Sequence, residues 1–77
     1  MRELLEFLAR TLVSDEEAVE VTEVEEIGGE VVLELEVADD DLGRVIGRGG
    51  RVANALRQVM KAAATREEKR VVVDILD

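Results

Sequence analysis

Leu42-Gly43-Arg44-Val45-Ile46-Gly47-Arg48-Gly49-Gly50-Arg51 is the stretch on which the fold turns. Glycines at 47, 49 and 50 interrupt a helical pattern and arginines at 44, 48 and 51 bracket the interruption, so the sequence predicts two helices joined by a tight turn. Glycine lets main-chain N–H groups approach an anion closely, and the first turn of a following helix offers unpartnered N–H donors at the positive end of the helix dipole. Arg44, Val45, Ile46, Gly47, Arg48, Gly49, Gly50 and Arg51 are therefore the candidate binding residues of a phosphate-facing loop. A lone Gly-x-x-Gly also fits a plain helix-to-helix connection, with Gly47 as a C-cap and the arginines merely solvated. The surroundings have to decide.

Charge supplies the first such context. The net charge of −9, taken whole, argues against a polyanionic partner. Its distribution argues the other way: residues 1–43 carry 15 acids and 2 bases, whereas residues 44–70 carry 2 acids and 8 bases. The basic block starts where the glycine turn starts. A bipolar molecule presents one positive face to a polyanion while the rest repels it, which orients the encounter. The plainer alternative has acids and arginines simply filling different solvent faces.

Size and composition narrow the chemistry. The 77 residues are expected to form one domain, 1–77, which buries only about 60% of its unfolded surface and has little room for an enclosed catalytic chamber. Without cysteine there is neither a disulfide framework nor a thiolate metal site. Without histidine the usual general base near neutral pH and the commonest metal ligand are both missing. Asp39, Asp40 and Asp41 would suit a magnesium ion. Aspartates just before Leu42, Val45 and Ile46 are better read as capping a helix and complementing its dipole. No metal, cofactor or catalytic residue is expected. Met1 opens an acidic helical pattern instead of a basic segment with an apolar run, and no apolar stretch approaches the ~18 residues a membrane span requires. The expected location is the cytoplasm, with no membrane partner.

Around the turn, the periodicities set the order of elements. Leu4, Leu5, Leu8 and Leu12, widened by Phe7 and Val13, predict an amphipathic helix from residue 2 to about 13, with Phe7 in the core. Val19 and Val21 begin an extended segment reaching Val24 and Ile27, its alternation slipping near Glu23 as a bulge would make it. Val31, Leu33, Leu35 and Val37 alternate strictly with Val32, Glu34 and Glu36. The intervening Gly28-Gly29 predicts a hairpin with a two-residue turn. After the short helix ending at Gly47, a second runs from about Gly50 to Thr65, with Val52, Leu56, Val59, Met60 and Ala63 as its buried stripe. Arg51, Asn54, Gln58 and Lys61 share its wet face. Val71, Val73 and Ile75 alternate with Val72, Asp74 and Leu76 in a closing strand. The crossover is long enough for parallel pairing beside the second strand. The fold class is α+β, a two-layer sandwich in the order α-β-β-α-α-β, with three helices on one face of a three-stranded mixed sheet.

A glycine turn joining two helices between two strands resembles the core of a KH domain, whose Gly-x-x-Gly loop clamps about four nucleotides. Here the matching residues are Ile46-Gly47-Arg48-Gly49-Gly50, and the helix and strand placed before that core resemble the bacterial type II arrangement. Over nearly the whole chain the sequence resembles the short single-domain bacterial RNA-binding proteins of the KhpA family. Val19-Glu20-Val21, Val45-Ile46-Gly47 with Gly50-Arg51, Lys61-Ala62-Ala63-Ala64 and Lys69-Arg70-Val71-Val72-Val73 carry the likeness. The resemblance implies a cytoplasmic protein that binds single-stranded RNA, as a homodimer or as a heteromer with a larger Jag-type KH protein. One departure stands out: Gly49 replaces the longer polar side chain frequent in the family, leaving Arg48 as the only charge inside the clamp.

On that reading, loop amides and the start of the second helix hold one or two phosphates, while Arg48 and Arg51 add charge-assisted bonds. Bases lie across a shallow apolar groove beside Val45, Ile46 and Leu42, although at least one of that valine and isoleucine is expected in the core. Phe7 is the sole aromatic residue, so the stacking platform of RRM or OB modules is missing. Weak single-copy affinity would then be raised by linked binding. Two rivals remain. A nucleotide-binding enzyme lacks the Walker lysine and hydroxyl, since Arg51 and Val52 follow Gly50. A protein-interaction module would dock a basic partner on the acidic half and use the glycine loop only as a turn.

Overall fold

Strict alternation in Val31, Leu33, Leu35 and Val37 makes the central strand, and the remaining elements assemble around it. The computed structural model describes residues 1–25 and 28–77. Its elements are α1 (Arg2–Leu12), β1 (Glu20–Glu25), β2 (Glu30–Glu36), α2 (Leu42–Ile46), α3 (Arg51–Arg66) and β3 (Arg70–Ile75), with 3₁₀ turns at Glu16–Ala18, Asp39–Asp41 and Arg48–Gly50. The sheet order is β1-β2-β3, antiparallel between β1 and β2 and parallel between β2 and β3. This is the mixed sheet and the α-β-β-α-α-β order that the periodicity predicts.

The register of the described hairpin sets Glu25 opposite Val31, and the residue that would precede a Gly28-Gly29 turn lies outside the described residues. Ile27, assigned to the end of the first strand from its sequence, lies outside the described residues. The register also advances without interruption from Glu20↔Glu36 to Glu25↔Val31, which leaves no bulge at Glu23. The slip in alternation has another cause. Glu23 stands opposite the buried Leu33 and is nevertheless exposed, because it lines the open cleft between α1 and β1.

Leu5, Leu33, Leu35, Met60 and Val45 are the largest fully buried side chains, so α1, β2, α2 and α3 all meet in one core. Burying each stabilises the fold by about 1.5–3 kcal/mol relative to exposure. The helices are turned differently from the sequence expectation. On α1 the fully buried positions are Leu5 and Ala9, one helical turn apart, while Phe7 lies about 200° round the helix from Leu5 and is 64% exposed. Phe7 is therefore a surface residue, not core. On α3 the buried line is Ala53, Leu56, Met60 and Ala64. Val59, assigned to that stripe from its spacing, is 45% exposed, and Val52 and Ala63 are only half-buried. The small alanines seat α3 closely, and the bulkier Val59 faces outward beside α1.

Candidate nucleic-acid interface

The loop is built from one glycine that cannot be replaced and two that leave room. Gly47 ends α2 with φ 74° and ψ 169°, a region open essentially only to glycine. A Cβ there would lie 2.6 Å from Val52 Cγ2 and 2.9 Å from the Val52 nitrogen, so α3 starts hard against this residue. Gly49 (φ 64°) and Gly50 (φ 80°) continue the turn in the left-handed region, and a Cβ at Gly49 would meet nothing within 4 Å.

Hydrogen bonding decides which amides are on offer. Gly47 N–H donates to the Gly43 carbonyl at 2.8 Å, Gly50 N–H to the Gly47 carbonyl at 3.1 Å, and Arg51 N–H to the Arg48 carbonyl. Among the described residues, the main-chain N–H groups of Arg48 and Gly49 have no such partner. The anion nest is thus narrower than the whole Gly47–Gly50 run. Arg48, Gly49 and Arg51 are exposed and Gly50 half-buried, and neither Arg48 nor Arg51 forms an ion pair among the described residues.

The remaining candidates divide. Ile46 is 36% exposed beside the loop and able to meet a ligand, whereas Val45 is 0% exposed and packs in the core. Val45 is corrected from a contact to a positioning residue: consecutive helical residues point about 100° apart, so one of the pair faces inward. Arg44 is exposed but engaged, its guanidinium donating to Ser14 Oγ and standing 3.8 Å from Asp41 Oδ1.

Asp41 is the residue whose role sequence reasoning missed. Its carboxylate, 3% exposed at the residue level, accepts the Ser14 N–H at 3.1 Å and the Asp15 N–H at 3.0 Å, tying the segment after α1 to the start of α2. Those two main-chain bonds, aided by Arg44, hold its carboxyl below the usual carboxylate range against the opposing effect of burial. No side-chain cap bond on α2 is present, so the capping expected of Asp41 goes to a segment 26 and 27 residues upstream. Nothing local signals such a bond. Among the described residues, no three acidic side chains gather as a metal site would require, and no helix is long and apolar enough to cross a membrane.

Other clefts lie away from the loop, two of them beside α1. The larger, between α1 and β1, is lined by Arg2, Glu6 and Arg10, but its arginines are already paired with Glu6 at 3.6 and 3.4 Å. A smaller cleft of about 190 Å³ between α1 and α3 is lined by Leu8, Leu12, Val52, Ala55 and Val59.

A three-stranded mixed sheet carrying two helices hinged on an exposed Gly-x-x-Gly turn defines a KH-type domain of the type II order. The sequence matches the family described as "KhpA/KhpB, KH domain" over residues 2–75. Its relatives include the RNA-binding protein KhpA of Clostridium perfringens, 51% identical over 77 residues that cover 99% of this chain and 100% of the relative. The RNA-binding protein KhpA of Halalkalibacterium halodurans is 46% identical over 77 residues, covering 100% of both chains. That of Aquifex aeolicus is 43% identical over 79 residues, covering 100% of this chain and 96% of the relative. The chain belongs to the KhpA/KhpB KH-domain family, which is not a family of enzymes.

Proposed function

We infer that this protein binds single-stranded RNA in the cytoplasm through the turn from Gly47 to Gly50. The amides of Arg48 and Gly49 receive a backbone phosphate, Arg48 and Arg51 add charge-assisted bonds, and Ile46 contacts a neighbouring base. One observation carries the reading: two amides and two arginines without partners among the described residues meet on an exposed loop that Gly47 holds against α3. The names of the relatives, all RNA-binding proteins, support it.

Low affinity from one copy would be offset by pairing, either with a second copy or with a larger KH partner of the Jag type. The exposed Val59, which lines the apolar cleft between α1 and α3, and the exposed Phe7 elsewhere on α1 support self-association through those helices.

The test is the double variant Arg48→Asp, Gly49→Asp. Both positions are exposed and the Gly49 site has room for a side chain, so the fold should survive while two carboxylates repel the phosphate. Fluorescence anisotropy with a labelled unstructured RNA is expected to show affinity falling by at least about tenfold, one unit of log K or ~1.4 kcal/mol, with circular dichroism unchanged. Unchanged affinity in a folded variant removes the loop from the mechanism.

A further inference from the structure

The seam between α3 and β3 carries chemistry that the loop does not use. Leu76 N–H donates to the Leu35 carbonyl at 2.9 Å, so alternate residues of β3 turn their main chain toward β2, while Val71, Val73 and Ile75 direct theirs to the open edge. No strand among the described residues pairs beyond β3. Arg57 of α3 reaches that edge, its Nε donating to the Val73 carbonyl at 3.2 Å. One turn further along α3, a cleft of about 340 Å³ opens at the end of the seam remote from the loop. Lys61, Thr65, Lys69 and Arg70 line it, with Glu30 as its one carboxylate among the described residues.

Charge distinguishes this cleft from the arginines of the acidic half and of the start of α2. Arg2, Arg10 and Arg44 each have a carboxylate within 4 Å, at 3.6, 3.4 and 3.8 Å, but Arg57, Lys61, Lys69 and Arg70 have none among the described residues. Three cations therefore converge on one cleft against a single acid among the described residues, in a chain whose net charge is −9. Such an excess fits an anion. Lys61 stands ten residues beyond Arg51, about 15 Å along the helix, too far for the phosphate held at the loop to be the one it meets.

We propose that the Lys61–Lys69–Arg70 cleft is a second phosphate subsite, so that an RNA strand gripped at the loop continues along the α3–β3 seam and is held again at its far end. The proposal rests on RNA binding by the loop. Arg57 stands midway and keeps positive charge along the open strand edge. A strand engaging both ends must be longer than the roughly four nucleotides a Gly-x-x-Gly clamp holds.

Oligouridylates of four and eight nucleotides separate the two sites. Wild type is expected to bind the octamer about tenfold more tightly than the tetramer at low salt, through linked contacts. The octamer should also show a log–log salt dependence steeper by roughly 0.7 to 1.4, for one or two further phosphates. Lys61→Ala with Lys69→Ala should bring the octamer back to the tetramer's slope and leave tetramer binding unchanged. Glu30→Gln, which removes the opposing carboxylate, should tighten octamer binding, a gain that impaired folding cannot mimic. Equal slopes for the two lengths in wild type, or a lysine variant that keeps the octamer's extra slope, would overturn the second subsite and leave the loop reading standing. Unchanged tetramer binding by Arg48→Asp, Gly49→Asp would instead overturn the loop reading itself.

Discussion

Gly47 and Gly49 are both glycines of one short turn, yet the structure asks different things of them. At Gly47 a side chain meets Val52 within 3 Å in a backbone region that other residues rarely enter. Gly47→Ala is therefore expected to destabilise the domain by about 3 kcal/mol, the combined cost of backbone strain and overpacking. Gly49→Ala has open space around it and should cost about 1 kcal/mol. Urea unfolding of the two variants checks the order, and equal losses would show that the contact with Val52 does not set the loop. Asp41 is the second residue with a stability signature. Because its folded pKa lies below its unfolded value, its contribution is present in full above about pH 4 and is lost as pH falls through the folded value. Glu3 is lowered as well, first through a hydrogen bond to its own main-chain amide, so the informative measurement is a comparison. Asp41→Asn should be less stable than wild type near neutral pH, and the gap should narrow as pH falls below the ordinary aspartate value of about 4. A constant gap would mean that the Ser14 and Asp15 bonds do not stabilise the carboxylate selectively.

Strong periodicity made most elements readable, and the misreadings occur where one face competes with another. β2 alternates without a break because one side packs on helices and the other meets water, so its limits and its inward residues were legible. In α1 and α3 the apolar arc is wider than the buried line. Phe7 and Val59 belong to that arc by composition, but Phe7 is exposed about 200° round α1 from Leu5 and Val59 lines the α1–α3 cleft, placements that depend on how the helices cross. The end of α3 offers a test at this scale. Lys69 N–H bonds the Ala64 carbonyl at 2.9 Å and Glu68 N–H the Thr65 carbonyl at 3.1 Å, a Schellman closure that places Glu68 at φ 57°. Glycine is the residue this position favours, so Glu68→Gly should raise stability by about 1 kcal/mol in thermal or urea unfolding. A loss of stability would show that the Glu68 side chain contributes more than its backbone strain costs.

For the whole molecule, function follows from the separation of charge. The acidic amino-terminal half and the open face of the sheet, with Glu20, Glu34, Glu36 and Asp74, repel a polyanion. Residues 48–70, from the loop through α3 to the start of β3, carry seven of the ten bases. The loop's location was legible from glycine spacing and this charge split. Which of its groups are free was not, because the partners of Gly47, Gly50 and Arg44 are fixed by the folded turn and by Ser14, thirty residues from Arg44 in sequence. The claim on which the rest depends is that the loop makes direct contact with RNA phosphates. Its most direct test is the salt dependence of binding to a tetranucleotide, a length confined to the loop site. With two or three phosphates neutralised, log K is expected to fall against log salt with a slope of roughly −1.4 to −2.1. A slope near zero would contradict phosphate contact.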